Sequence, residues 1–266
     1  MGKSKTWIFL LIPILVIFLT SAAFSKAEWS RSGMLRKSLV NDSKQLDVNQ
    51  IVGWIVNDGL MFSDPATGQS GLYYPKGAPS DHAIIYTNGL WVLGKINNDI
   101  RSAVSDYATE FQPGMILDNG APDDPSDPKY VVFKFDADKW DDPSMAADRA
   151  AAVAQGMEDK MYGDQMLYFV MNDYASHAAV FTKPPIGLEV RVLAFGFNRL
   201  GALGNTIFIK YTFVNKGQND LLETYAGQFF DPDLGQPNDD AVACDPPLGI
   251  GSVYNFDNFC RVYGAP

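Results

Sequence analysis

The chain reads as a mainly β protein, an antiparallel β-sandwich of jelly-roll type with one short helix. Three observations point there. Runs of β-branched and aromatic residues, such as residues 130–135 and 206–214, recur along most of the sequence. Clusters of Asn, Asp, Gly and Pro separate them at short intervals, leaving no room for the repeated crossover helices of a parallel sheet. One segment alone, residues 143–155, is alanine-rich and free of glycine.

The elements follow in order. Residues 26–47 read as a polar arm, and residues 48–266 as the sandwich domain. Residues 51–56 form an apolar strand that stops at Asn57-Asp58-Gly59. A loop-rich passage surrounds Leu72-Tyr73-Tyr74. Residues 83–86 and 90–96 are two β-like runs joined through Asn88-Gly89, a strong hairpin signal. Asn97-Asn98-Asp99 offers a second turn before residues 100–104, so a three-strand meander is expected. Residues 118–129 are dense in Asp, Pro and Gly and read as a surface loop, and residues 130–135 as a strand. The helix over 143–155 has Ser144 as its expected N-cap and Gly156 as its stop. Strands resume at 165–171, 188–197, 206–214 and 222–230, and a last one is expected at 253–257. The sequence stops at Pro266 without a closing strand, so further chain is expected beyond it.

Composition bounds the partners. With 266 residues the chain can form one large sandwich or two smaller domains. Its formal net charge of −10 disfavours nucleic acid and anionic membranes, both polyanions, and suits cation binding. Lys3 and Lys5 precede an apolar run over residues 7–19, and small residues follow at Ser21, Ala22 and Ala23. That pattern predicts a signal peptide over residues 1–25, cut after Ala23, Ser25 or Ala27. An uncleaved anchor is the competing reading, because residues 7–24 nearly span a bilayer. Membrane contact is expected only through this segment.

Export bears on the two cysteines. Cys244 and Cys260 are expected to form a disulfide outside the cell, worth roughly 3 kcal/mol by loop closure. Two buried thiols are the alternative. Two cysteines and two well-separated histidines, His82 and His177, do not make a conventional zinc site.

The densest chemistry lies at Asp231, Asp233, Asn238, Asp239, Asp240 and Asp245, at the end of an aromatic strand. So many oxygens in one short stretch repel each other unless a hard cation neutralises them. Ca²⁺ takes about 6–8 oxygens from flexible loops of this kind. These six residues are the expected ligands of a structural calcium ion, with a solvated acidic turn as the alternative. The spacing departs from the EF-hand, which needs a third acid at the next alternate position and a bidentate Glu. It is more similar to the Asp-rich, cysteine-closed calcium repeats of the thrombospondin type 3 kind, in a single copy.

No catalytic residue stands out. Ser80-Asp81-His82 has triad residue types, but sequence neighbours do not fold onto one another as a triad, and no Gly-x-Ser-x-Gly elbow occurs. His177 reads as a surface residue. Trp54, Tyr73, Tyr74, Trp91, Trp140 and Tyr168 supply either core or a sugar-stacking platform.

The segments Tyr74-Pro75-Lys76-Gly77, residues 89–95, residues 110–114, Asn172-Asp173, residues 185–190 and Asp231-Pro232-Asp233-Leu234-Gly235 resemble those of secreted, β-rich multidomain proteins from Bacteroidota and Ignavibacteria. The likeness covers most of residues 50–257. It implies a secreted or cell-surface protein of a type that often ends in a sorting domain for type IX secretion, which this sequence does not carry, and it carries over no catalytic residue. The expected function is a structural or adhesive module with a calcium-stabilised loop. The alternative is a carbohydrate-binding or glycan-degrading protein. Expected partners are cell-surface components or glycans.

Overall fold

The computed structural model describes residues 41–78, 82–177 and 183–256. The expected signal peptide at residues 1–25, residues 26–40 of the expected arm, Ser80, Asp81 and Cys260 lie outside the described residues.

The chain lays down its strands in two blocks. β1 (Ser43–Leu46), β2 (Val52–Val56), β3 (Leu72–Tyr73), β4 (Ala83–Ile96) and β5 (Asp99–Val104) come first. β6 (Gln112–Pro113), β7 (Phe133–Asp136), β8 (Gln165–Asn172), β9 (Leu188–Gly196) and β10 (Ile207–Asn215) form the second block, with helix α1 (Ala146–Ala154) between β7 and β8. β11 (Leu222–Pro232) then returns to the first sheet, and β12 (Asp240–Asp245) and β13 (Ile250–Asn255) make a separate hairpin. The first sheet runs β1-β2-β3-β4-β11 with β5 beside β4. The second runs β10-β9-β8-β6 with β7 beside β8. Every pairing described is antiparallel.

The two sheets share one core. Ile55, Leu90 and Val92 from the first sheet meet Leu167, Phe169, Val190 and Val192 from the second in a single buried cluster. That is the face-to-face packing of a sandwich. β8 is buried at all eight positions. Its alternate residues Met166 and Tyr168 point away from the sandwich and join Phe133, Phe135 and Ala152 beneath α1. A strand covered on both faces needs apolar residues at nearly every position, which explains its continuous run.

The helix begins later than the sequence suggests. A single 3₁₀ turn, Pro143–Met145, precedes it, and the capping side chain is Asp142, which accepts from the Ser144 N–H at 2.8 Å. Its end is a Schellman closure: Met157 N–H donates to Ala152 O, and Gly156 N–H to Val153 O. Gly156, at φ +96°, takes the left-handed position.

Three expectations are corrected. Among the described residues, regular structure is already present at Ser43, ahead of Val48, because Leu46 is fully buried and the short strand pairs along β2. Residues 83–96 form one strand, not a hairpin. Asn88 and Gly89 serve packing there: Asn88 Nδ2 donates to Phe229 O at 2.9 Å, and a Cβ on Gly89 would lie 2.1 Å from Ser105 O. The second turn expected there is present at Asn97-Asn98, both at positive φ, between paired Ile96 and Asp99. Finally, the acidic stretch is not a single loop, because β12 begins at Asp240 within it.

Candidate metal site at the acidic hairpin

β11 carries the chain to the acidic stretch. Asp231 pairs with Thr87 and Pro232 with Ile85, with a register shift between them. Past the strand's end the backbone stays against β4: Asp233 N–H donates to Ile84 O at 3.3 Å, and Gly235 N–H to Ala83 O at 3.4 Å. Gly235, at φ +76°, then turns the chain away. Asp239 and Asp240 follow at the start of β12. Asn255, at the end of β13, lies directly across the pair from Asp240, and Phe256 N–H donates to Asp239 O at 2.7 Å.

This register gathers side-chain oxygens that lack donors. Asp239 Oδ1, Asp240 Oδ1 and Asn255 Oδ1 are all buried, and none has a hydrogen-bond partner among the described residues. Asp239 is only 9% exposed. The second oxygen of Asp240 accepts from Leu234 N–H at 3.0 Å. Burial, reinforced by the charges of Asp239 and Asp231, pushes the Asp240 carboxyl above its usual range; the Leu234 N–H opposes this. Asp233 Oδ2 accepts from Ser70 Oγ at 3.3 Å. Tyr107, on the β5–β6 loop, is pushed up to about 12 by burial, by its hydrogen bond to Asp231, and by the surrounding carboxylates.

The six residues singled out by sequence are therefore divided. Asp239 and Asp240 adjoin each other, with Asp231 within electrostatic reach of Asp240. Asp233 stands between β4 and the turn, and Asn238 is exposed beside Asp239. Asp245 sits at the opposite end of β12, exposed, where its carboxylate accepts from Leu248 N–H at 3.2 Å. Asn255, on the last strand expected from the sequence, lies opposite Asp240. Among the described residues no three His, Cys, Asp or Glu side chains are grouped so as to hold a metal ion. The buried oxygens without a donor belong to two carboxylates and one amide. Cys244 lies exposed on β12, and its expected partner Cys260 is outside the described residues.

A second polar cluster was not legible. His177 is buried, not on the surface, because its ring is taken up by the Asp173 carbonyl and faces Glu110. Its Nε2 lies 2.5 Å from Asp173 O and its Nδ1 3.6 Å from Glu110 Oε2. A carbonyl only accepts, so Nε2 carries a hydrogen. The Asp173 carboxylate accepts from three successive backbone N–H groups, those of Ile186, Gly187 and Leu188, at 2.5, 3.0 and 2.7 Å. Burial raises its pKa, while those donors and His177 act against the rise. The cluster staples the connection to the start of β9.

The six aromatics weighed as a platform are scattered. Tyr168 is buried under α1, and Trp140 lies beneath the Arg149 guanidinium, 4.3 Å from its ring centroid. Trp91 alone joins an aromatic group on the outer face of the first sheet.

Compared with family models, curated proteins and solved structures, the chain gives no match. Its own architecture defines its class, an antiparallel β-sandwich domain.

Proposed function

We propose that the chain is an exported structural or adhesive module of the cell surface, non-catalytic, whose acidic hairpin is fixed by a calcium ion. One observation carries the reading: three buried side-chain oxygens, on Asp239, Asp240 and Asn255, have no donor among the described residues. An orphaned buried acceptor costs about 1–3 kcal/mol, and more when charged. A cation bound by these oxygens removes that cost. An all-oxygen set suits Ca²⁺, which accepts amide and carboxylate oxygens with water filling the shell, whereas zinc prefers nitrogen and sulfur. Asp231 acts electrostatically on Asp240 and is the further carboxylate this reading draws on. The location outside the cell rests on the signal-like segment at residues 1–25 and on the resemblance to secreted proteins.

The test is thermal unfolding in excess calcium and in EGTA. Saturation at a hundredfold over the dissociation constant adds about 2.7 kcal/mol, which raises Tm by about 5–10 °C for a domain of this size. The double variant Asp239→Asn with Asp240→Asn is expected to melt at one temperature in both buffers. Equal melting of the unaltered protein with and without calcium removes the proposal.

A further inference from the structure

The outer face of the first sheet carries an aromatic surface that the calcium reading leaves unused. Leu90, Val92 and Ile96 point into the core, so Trp91 and Leu93 point outward. Their partners on β11, Gly227 and Tyr225, share that face, as does Phe229 two residues on. Trp91 and Phe229 lie with planes parallel to within 5°, their centroids 5.9 Å apart. Tyr107 meets Phe229 edge-on at 5.5 Å. Tyr225 and Phe229 are four residues apart on one strand, about 13 Å along it. Tyr107 is 61% exposed and Tyr225 73%. Between them a Cβ built on Gly227 meets nothing within 4 Å, so the gap beside Trp91 is open.

We propose that this face binds a neutral oligosaccharide. A pyranose ring pairs a flat C–H face, which stacks on aromatic rings, with a rim of hydroxyls that need acceptors. The surface has both parts. Its aromatic stretch ends at Asp231, whose carboxylate already holds the Tyr107 hydroxyl, with Asp106 and Asp233 close by. Ionised carboxylates accept hydrogen bonds and donate none, which matches sugar hydroxyls. The charge excludes the acidic glycans: the chain has a net charge of −10, and Lys95, toward the other end of the face, is paired with Glu223 at 2.6 Å.

Gly227 supplies a test that spares the fold. Its backbone is not left-handed, so Gly227→Val adds a β-branched residue to an exposed strand without strain and fills the gap over the sheet. Titration calorimetry is run with uncharged hexasaccharides (β-1,4-linked glucose, mannose and xylose, and α-1,4-linked glucose) and with polygalacturonate. Binding by at least one neutral hexasaccharide is expected, lost in Gly227→Val and weakened about five- to tenfold in Tyr225→Ala, with unchanged melting of both variants. The proposal is overturned if no neutral hexasaccharide binds at millimolar concentration, if Gly227→Val binds as the unaltered chain does, or if polygalacturonate binds more tightly. Both altered positions lie away from Asp239 and Asp240, so loss of calcium binding and loss of saccharide binding are read separately.

Discussion

Asp240 concentrates the electrostatics of the hairpin in a single side chain. One of its oxygens is held by Leu234 N–H; the other is buried without a donor, beside the charges of Asp239 and Asp231. Its raised pKa has a consequence with a definite sign. A carboxyl whose folded pKa lies above its unfolded value binds its proton more tightly in the folded chain. Its contribution is therefore complete below the unfolded pKa of about 4, and it is lost as pH rises through the folded value. In EGTA, the unaltered protein is expected to lose stability relative to Asp240→Asn as the pH is raised from about 4 to 7. With calcium bound the ionised form is required, and the trend reverses. Denaturant titrations of both proteins across that range check this; a gap that does not change with pH contradicts it. Asp123 and Glu158, both held near 2 by their lysine partners, titrate in the same way in either protein and cancel in the comparison.

At the scale of elements, the sequence shows the strands better than their partners. Residues 206–214 and 222–230 are β-prone by composition alone, and β10 and β11 lie there. Asn88-Gly89 misleads because one dipeptide serves two purposes. Glycine satisfies a tight turn, but it equally lets two backbones approach, and only the position of Ser105 decides which. Gly89→Ala tests that assignment. The added methyl group would sit 2.1 Å from Ser105 O, so a loss of about 3 kcal/mol is expected, seen as a lower urea midpoint with an unchanged slope. A neutral substitution would mean that the close approach is not needed. The acidic site divides in the same way. Its carboxylates are visible in the sequence, but the position of Asn255 opposite Asp240 depends on the β12–β13 register, a non-local fact. That register also carries Asp245 to the far end of the strand.

For the whole molecule, the two faces of the sandwich have different tasks. The second sheet is covered twice, by the first sheet and by α1 with its flanking aromatics, and its buried staple at Asp173 and His177 fixes the β8–β9 connection. In the first sheet it is the last strand, β11, that stays exposed, and it leads into the acidic hairpin. An aromatic side chain there, Tyr225, is exposed although its sequence reads as strand core. Composition does not reveal this, since a strand at a sheet edge and one in its centre draw on the same residues. Calcium binding at the hairpin is the central claim for this molecule, and isothermal titration with CaCl₂ measures it directly. The result expected is one ion bound per chain, with that binding absent from the variant combining Asp239→Asn and Asp240→Asn. A titration without heat up to millimolar calcium, or the same isotherm from the double variant, would contradict it.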